Sequence, residues 1–544
     1  MSVKGRKARL AVTAGLAAAL ALGGVVAPVA QAYADSGYSV TVKAPDDSAY
    51  AVDGEYKIYQ LFTGTFGGTE NKRLGNVAAN LTYRDAVLTA LNSVLPADQK
   101  IEKSDKSDAR IAIAITDAIQ GLTPPEQQKF ANKLAGALAN SEATATVNAT
   151  DGKVTFSGVK PGYYLIASPS TSGATTSAIL VPVNGDVTAE TKVSTPTVTK
   201  QVKVGNEDYK KNTDVGLTDA DTVERLTYKL EGTVASNIAD YDAYKYVFTD
   251  TLPSGVTVTN ERVIGVVGDS TKPGWHVKVT AKVGDKTEDI TGSFSLPNDL
   301  SGSTVTWTCG NLKQALLDAH FRTEELRKAK IELTYTPDYT VTELGLALVG
   351  EGMPAVTNTA KLSYSNNPYI GGAGSTATTP ADVSKVYTYK LALKKVKEDA
   401  TSLTGAKFTL KCAGAEVFTD LGVGDDGALD FTGLDSGVEY ELSETTVPAG
   451  MKSIDPIKFK IVAVQNTDGT VTKVTADKTS DPSNAATFVN ATETDNVIDV
   501  TVTNIEGPNL PTTGQQGIVA GVAVGGIVLT VSLVAISRNR KRSE

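Results

Sequence analysis

The chain contains very little cysteine and histidine. Its 544 residues include two cysteines, Cys309 and Cys412, and two histidines, His276 and His320. Two cysteines cannot form a disulfide framework, and these two fall in different predicted domains, so we do not pair them. Two histidines leave little material for a zinc site or a histidine-based catalytic triad. We therefore expect no metal, no cofactor and no enzymatic turnover.

Aromatic residues are also scarce, and the chain has no excess of positive charge. Aromatic residues make up 6% of the chain, and the net charge is −9 with a pI near 5.1. This charge argues against nucleic-acid binding. A hydrophobic fraction of 41% and a charged fraction of 21% indicate folded domains. The length exceeds what one hydrophobic core usually organises, so several domains are expected.

The N-terminus has the pattern of an export signal. Four basic residues within positions 4–9 precede a stretch rich in Ala, Leu, Gly and Val, and Ala30-Gln31-Ala32 gives a small-x-small cleavage pattern. We predict a signal peptide over residues 1–32 and a secreted chain. The alternative is an N-terminal membrane anchor.

The C-terminus combines three signals. A run of twenty apolar or small residues over 517–536 is long enough to cross a bilayer, and basic residues follow it at 538–542. A simple membrane anchor accounts for both features, but not for the pentapeptide that precedes them. That pentapeptide consists of Leu510, Pro511, Thr512, Thr513 and Gly514.

The order of pentapeptide, apolar span and basic tail resembles the LPxTG cell-wall sorting signal of Gram-positive surface proteins. The resemblance implies that a sortase cysteine attacks the carbonyl carbon of Thr513 and cleaves the Thr513–Gly514 bond. Thr513 is then transferred to an amine, while the C-terminal span holds the substrate transiently in the membrane.

Short alternating runs rich in Val and Thr dominate the rest of the chain. They predict a mainly β protein of three tandem immunoglobulin-like β-sandwiches, of which the first carries a helical insertion. Helical patterns occur at residues 83–95, 108–122 and 123–139, and the last begins with a Thr-Pro-Pro-Glu cap. The expected domains are residues 33–192, 193–385 and 386–506, followed by the sorting signal, span and tail over 507–544.

Two predicted strands each place a lysine on their apolar face. The period-two rule aligns Lys200 with three valines in "TVTKQVKV", and Lys395 with two leucines in "TYKLALKKV". One interpretation is a lysine at a strand end whose amine reaches solvent. The other is a buried, functional amine, and alternation alone favours the first because buried lysines are rare.

Motifs elsewhere favour the buried amine. "YELSETTVPAGM" at 440–451 resembles the E-box of the B-type domains of pilins and collagen adhesins, with Met451 in place of the usual aromatic residue. The resemblance implies a Lys395–Asn504 isopeptide bond, promoted by the acid Glu444.

The middle domain resembles the fimbrial backbone domain that uses aspartate instead. "YVFTDTLPSGVTV" contains Asp250, and "NTAKLSYSNNP" contains Asn358. With Lys200, this resemblance implies a second isopeptide bond, between Lys200 and Asn358, promoted by Asp250.

The chemistry explains these residue types. Burial lowers the pKa of a lysine and favours the nucleophilic amine, and it raises the pKa of a carboxyl group so that the acid stays protonated. The acid is expected to hydrogen-bond to the asparagine carbonyl oxygen and to transfer protons while ammonia leaves. Each domain does this once, without turnover. The first domain lacks an E-box, so we predict no such bond there, and we have no warrant to join Lys43 to Asn184.

A polymer also needs an acceptor amine. Lys192 lies at the end of the first predicted domain, where major pilins carry a lysine in a Tyr-Pro-Lys-Asn-like motif, although here Tyr, Pro and Asn are absent. We predict Lys192 as the acceptor. A solvated linker lysine is the alternative interpretation, and Lys200 and Lys203 are rival acceptors.

As a whole, the chain resembles the major (backbone) pilin subunit of sortase-assembled fimbriae. The resemblance implies a fibre anchored to peptidoglycan on the cell surface and built with a class C pilin sortase, a housekeeping sortase and other pilin subunits. Host surface glycoproteins are further candidate partners. The alternative is a monomeric, wall-anchored adhesin that binds a host matrix protein; a minor basal or tip subunit is also open.

Overall fold

The computed structural model describes residues 37–44, 52–67, 73–103, 107–168, 175–176, 178–191, 194–217, 226–252, 276–295, 304–336, 355–489 and 496–508. These residues form three β-sandwiches in chain order, which confirms the predicted fold class.

The first sandwich consists of a mixed three-stranded sheet, an antiparallel sheet and a helical insertion. Its elements are β1 (Tyr38–Lys43), β2 (Glu55–Gly67), β3 (Arg73–Ala79), α1 (Arg84–Asn92), α2 (Asp108–Gly121), α3 (Pro124–Ala137), β4 (Ala145–Asn148), β5 (Lys153–Val159), β6 (Gly162–Ala167), β7 (Ile179–Val183) and β8 (Val187–Glu190). One sheet has the order β5-β1-β8, and the other has the order β3-β2-β6-β7 with β4 added to β2.

The predicted helices are present in the first sandwich. They lie between β3 and β4 and bury their apolar sides in a core shared with the sheet that contains β2 and β6. At the start of α3, Thr123 and Glu126 form the predicted capping box, in which the Thr123 backbone N–H donates to Glu126 Oε2 over 2.8 Å.

The middle sandwich comprises a five-stranded and a six-stranded sheet. Its elements are β9 (Val198–Val204), β10 (Asn212–Asp214), β11 (Leu226–Thr233), β12 (Tyr246–Thr251), β13 (His276–Val283), β14 (Lys286–Asp289), β15 (Thr304–Cys309), α4 (Leu312–Asp318), β16 (Lys330–Thr336), β17 (Val356–Ser365), β18 (Thr376–Thr378) and β19 (Asp382–Tyr387). The sheets have the orders β14-β13-β16-β11-β9 and β10-β19-β17-β12-β15, with β18 paired to β17.

Helix α4 was not predicted from the sequence. The side chain of Asn311 caps it by accepting a hydrogen bond from the Gln314 backbone N–H over 3.2 Å. Its buried residues Leu312, Ala315 and Leu316 have helical spacing, but two turns are too short to give a clear periodic signal among strands.

The C-terminal sandwich consists of a four-stranded and a five-stranded sheet. Its strands are β20 (Tyr389–Lys397), β21 (Lys407–Cys412), β22 (Ala415–Gly422), β23 (Ala428–Leu434), β24 (Glu439–Thr446), β25 (Ile457–Gln465), β26 (Val471–Ser480), β27 (Ala486–Val489) and β28 (Val497–Asn504). The orders are β23-β20-β28-β27 and β22-β21-β24-β25-β26. β20 and β28 pair in parallel.

The sandwiches are joined by packing as well as by the chain. Tyr369, from the connection that follows β17, is buried in the helical core of the first sandwich. Strand β19 crosses the expected junction at residues 385 and 386, with Val386 in the middle core and Tyr387 in the C-terminal core. The domain boundaries given above remain a proposal.

Candidate cross-linking sites

Both lysines on the apolar strand faces are inside the protein. Lys200 on β9 and Lys395 on β20 are each 0% exposed. The interpretation in which a strand-end amine reaches solvent is therefore wrong for both residues. Each amine contacts a buried acid. Lys395 also contacts Asn504 directly, whereas Lys200 and Asn358 each contact the same tyrosine hydroxyl.

In the C-terminal sandwich, the lysine and the asparagine come from neighbouring strands of one sheet. β20 and β28 run in parallel, with Lys395 opposite Val502 and Lys397 opposite Asn504. Lys395 and Asn504 are thus diagonal neighbours on the inward face of this sheet. Glu444 reaches them from β24 in the facing sheet, where it pairs with Phe408.

A single carboxyl group contacts both nitrogens of this cluster. Glu444 Oε1 lies 3.5 Å from Lys395 Nζ, and Asn504 Nδ2 donates to Glu444 Oε1 and Oε2 over 3.1 and 3.0 Å. Lys395 Nζ donates to Asn504 Oδ1 and to the Val502 carbonyl oxygen, the latter over 3.4 Å. The acid thus contacts the amide nitrogen instead of the carbonyl oxygen, which corrects the expected hydrogen bond.

Burial shifts the titration of the amine. Loss of hydration lowers the pKa of Lys395 to about 8, and the neighbouring Glu444 carboxylate opposes part of this shift. At this pKa roughly a tenth of the amine is unprotonated, and so nucleophilic, at pH 7, far more than for an ordinary lysine.

In the middle sandwich, the three groups come from the two sheets in a different way. Asp250 on β12 and Asn358 on β17 belong to adjacent antiparallel strands, in which Asp250 is opposite Ala360, so the two side chains are diagonal neighbours. Lys200 faces them from β9 of the other sheet.

A fourth residue, Tyr335 on β16, completes the middle cluster and was missed from the sequence. Its hydroxyl donates to Asp250 Oδ2 over 2.9 Å and accepts from Asn358 Nδ2 over 2.7 Å. Lys200 Nζ donates to Asp250 Oδ2 and to the Tyr335 hydroxyl, the latter over 3.3 Å. The only sequence signal was the inward position of Tyr335 in the alternating segment "KIELTYT".

Burial favours the neutral forms of both titratable groups here. It lowers the pKa of the Lys200 amine and raises the pKa of the Asp250 carboxyl group, while the attraction between the two groups opposes both shifts. Asp250 Oδ1 and Asn358 Oδ1 have no hydrogen-bond partner among the described residues. Because these two oxygens lack a donor, a proton on the Asp250 carboxyl group would supply one. The protonated acid is therefore the less costly form in this site.

Aromatic rings exclude water from the amines. Lys200 Nζ lies 4.7 Å from the ring centroid of Tyr228 and 5.3 Å from that of Tyr335. Lys395 Nζ lies 5.9 Å from the ring centroid of Phe408. In both sites the arrangement allows an amine to attack a side-chain amide beside a buried acid, which is the chemistry of isopeptide formation.

The first sandwich offers no comparable amine at the position considered from the sequence. The side chain of Lys43 is 33% exposed, and its amine lies 3.7 Å from Glu190 Oε1 at the surface. This lysine therefore lacks the buried environment of Lys200 and Lys395.

Several predicted features lie outside the described residues: the signal peptide, the acceptor Lys192, the pentapeptide Leu510–Gly514, the apolar span and the basic tail. Within the described part of the chain, no helix is both long enough and apolar enough to cross a membrane. The same part contains no cluster of three or more His, Cys, Asp or Glu suited to a metal ion. Cys309 and Cys412 are buried and are not joined in a disulfide.

Comparisons with known proteins agree with this architecture. Residues 389–480 match the family described as SpaA, prealbumin-like fold domain. The T6 backbone pilin of serotype M6 Streptococcus pyogenes, described as a modular three-domain structure, aligns with 88% of this chain and 99% of its own at 16% identity and a TM-score of 0.50. The major pilin SpaD from Corynebacterium diphtheriae aligns with 87% of this chain and 98% of its own at 13% identity and a TM-score of 0.42. No curated protein sequence matches the chain. The chain therefore shares the fold of a three-domain backbone pilin.

Proposed function

From a fold shared with a three-domain backbone pilin, we propose that this chain is the structural backbone subunit of a covalently polymerised surface pilus. The observation that carries the proposal is the pair of fully buried lysine–acid–asparagine clusters in successive sandwiches. Buried lysines are rare, and burying one is costly unless its charge is paired or neutralised. Here both occur in sites arranged for the same reaction.

In each site the neutral lysine amine attacks the Cγ carbon of the asparagine amide. An N–C bond forms between Nζ and Cγ, the Cγ–Nδ2 bond breaks, and ammonia leaves. One proton moves from Nζ to the departing nitrogen by way of the buried acid, so Glu444 and Asp250 act as the isopeptide-promoting acids. The fold supplies proximity, which is worth roughly 7–11 kcal/mol for well-oriented groups.

The position of the bonds fits a protein under tension. β20 and β28 are parallel neighbours, so opposite pulls on the two ends of the sandwich would shear their hydrogen-bond ladder. A Lys395–Asn504 bond would carry that force covalently. A Lys200–Asn358 bond would do the same for most of the middle sandwich. Cys309 and Cys412 form no disulfide that could serve this purpose.

Polymerisation would use the two ends of the subunit. A class C pilin sortase would cleave Thr513–Gly514 and join Thr513 to Lys192 of the next subunit, and a housekeeping sortase would transfer the finished fibre to peptidoglycan. The sorting pattern at the C-terminus and the lysine at the end of the first domain support this step.

The internal bonds are tested by mass spectrometry of the full chain purified from cells without sortase. The wild type should weigh two ammonias less than the sequence that remains after signal-peptide removal. Asp250→Ala and Glu444→Ala should each regain one ammonia, because each removes the acid of one site. Peptide mapping should locate the joined pairs Lys200–Asn358 and Lys395–Asn504. A wild-type mass equal to the sequence would refute both bonds.

Polymerisation is tested separately in a host that carries the matching pilin sortase. Wild-type cell walls should give ladders of high mass, and Lys192→Ala should give monomers, with Lys203→Ala as the matched control for a nearby lysine. Wild-type monomers alone would contradict the pilus and favour the wall-anchored adhesin. Ladders that persist in Lys192→Ala would move the acceptor to another lysine.

A further inference from the structure

The two clusters connect their acid to the leaving nitrogen in different ways. In the C-terminal cluster, Glu444 contacts both Lys395 Nζ and Asn504 Nδ2, so one carboxyl group spans both nitrogens. In the middle cluster, Asp250 contacts Lys200 Nζ but makes no hydrogen bond with Asn358 within the described structure. The acid alone therefore does not reach the nitrogen that must leave.

The hydroxyl of Tyr335 occupies the gap. It lies 2.9 Å from Asp250 Oδ2 and 2.7 Å from Asn358 Nδ2. A phenol has one proton to donate and two lone pairs to accept with, and here it donates to the acid while it accepts from the amide and the amine. The one hydroxyl thus contacts all three functional groups of the site.

The ring is held in place by its neighbours. Its centroid lies 5.1 Å from the Trp307 ring and 5.4 Å from the Tyr228 ring, with which it stacks. Tyr335 is 0% exposed, on β16 between β11 and β13. A side chain fixed in this way presents its hydroxyl at a constant position, as a proton relay requires.

We propose that Tyr335 is a catalytic residue of the middle site, relaying a proton from Asp250 to the departing nitrogen of Asn358. This inference rests on the proposed Lys200–Asn358 bond. The C-terminal site needs no such relay, because Glu444 contacts both nitrogens directly.

The proton balance is as follows. The Lys200 amine attacks Cγ of Asn358, and the resulting tetrahedral centre has a lone pair on Nδ2. The Tyr335 hydroxyl gives its proton to Nδ2 and recovers one from the Asp250 carboxyl group, which takes one from Lys200 Nζ. The Cγ–Nδ2 bond then breaks and ammonia leaves. Asp250 and Tyr335 end in the protonation states in which they began.

The test compares both bonds within the same molecule. Full-length Tyr335→Phe keeps the ring but removes the hydroxyl, and cross-linked peptides are quantified over time after synthesis. The Lys200–Asn358 pair should form at least about tenfold more slowly than in the wild type, since positioned proton transfer contributes roughly 10²–10⁴-fold. The Lys395–Asn504 pair should form at the wild-type rate.

The matched control is Tyr246→Phe. It removes another buried phenol hydroxyl of the same sandwich, one that donates to the Thr233 carbonyl oxygen over 2.9 Å. This variant should form both bonds at the wild-type rate. If it slows the middle bond as much as Tyr335→Phe, the effect comes from loss of a core hydrogen bond, and the relay is refuted.

A second measurement separates proton transfer from packing and also serves if Tyr335→Phe does not fold. Fluorotyrosine placed at position 335 keeps the hydroxyl and its contacts but makes it more acidic. A changed rate for the middle bond, with an unchanged rate for the C-terminal bond, supports the relay. An unchanged ratio of the two rates overturns it.

The possible outcomes separate failure of the Tyr335 relay from failure of the isopeptide bonds themselves. If the wild type forms neither pair, the proposed bonds fail, and the relay fails with them. If the wild type forms both pairs and Tyr335→Phe does so equally fast, only the relay is refuted.

Discussion

The middle and C-terminal sandwiches bury the same three functional groups but take them from different sheets. In the C-terminal sandwich, Lys395 and Asn504 share a sheet and the acid faces them. In the middle sandwich, the acid and the asparagine share a sheet and Lys200 faces them. The requirement common to both is proximity in a dry interior, and the strand arrangement that provides it differs.

This difference has mechanical consequences. The proposed C-terminal bond would join neighbouring parallel strands, so it would reinforce a ladder that tension loads in shear. The proposed middle bond would join the two sheets to each other. Strands β18 and β19 follow Asn358 and would lie outside the covalent loop, although β19 is held by β17 and β10. The stretch between Asn358 and Lys395 would then depend on hydrogen bonds and packing alone.

The largest expected effect is loss of either bond. Lys200→Met and Lys395→Met replace the amine by an apolar group of similar length, so each sandwich should lose on the order of 4–5 kcal/mol of unfolding free energy, by analogy with disulfide loops of about this size. Hydrogen exchange of the full chain, resolved by sandwich, measures this loss. Because loop entropy varies only logarithmically with length, the two losses should be similar. A loss below about 1 kcal/mol in either variant would contradict a covalent bond at that site.

A smaller effect should appear in the pH dependence of stability. Asn504→Ala leaves Lys395 as a free buried amine with a pKa lowered to about 8 from an ordinary value of 10.5. Because the folded state disfavours the proton, stability should fall as the pH drops from about 10.5 to about 8, by roughly 3 kcal/mol, and change no further below that window. The measurement is chemical denaturation at several pH values, taken as the difference from the wild type, whose bonded Lys395 no longer titrates. Equal pH dependence in the two chains would contradict this prediction.

The same change in the middle site should give a different profile. In Asn358→Ala, the lowered pKa of Lys200 again favours stability at high pH, but the raised pKa of Asp250 adds a contribution present at low pH. That second contribution is lost as the pH rises through the pKa of the folded state. The middle variant should therefore be least stable at an intermediate pH and gain stability on both sides of it, whereas the C-terminal variant should only lose stability as the pH falls through its window.

The smallest expected effect is at Lys43. Lys43→Ala should leave the mass deficit at two ammonias and change the unfolding free energy by less than about 1 kcal/mol, because its ion pair with Glu190 is partly exposed. Intact mass and thermal unfolding measure both quantities. A regained ammonia in this variant would reveal a cross-link in the first sandwich. All three sandwiches would then contain an isopeptide bond.

Local sequence was sufficient for several features of this protein. Strand alternation placed Lys200 and Lys395 on apolar faces, and the contexts of Asp250, Glu444 and the two asparagines identified the residues that the fold brings together. The capping box of α3 was equally readable. Each of these features is encoded within a few residues, where strand and helix periodicity act.

Other features were decided only by tertiary structure. The sequence placed Tyr335 on an inward strand face, but pairing between distant strands set its hydroxyl between Asp250 and Asn358. Non-local pairing also determined which sheet supplies each lysine, and the surrounding hydrogen bonds turned the Asn504 nitrogen toward Glu444. Alternation specifies the face on which a side chain lies, whereas its partners depend on contacts between segments from 23 to 109 residues apart, which no local pattern encodes.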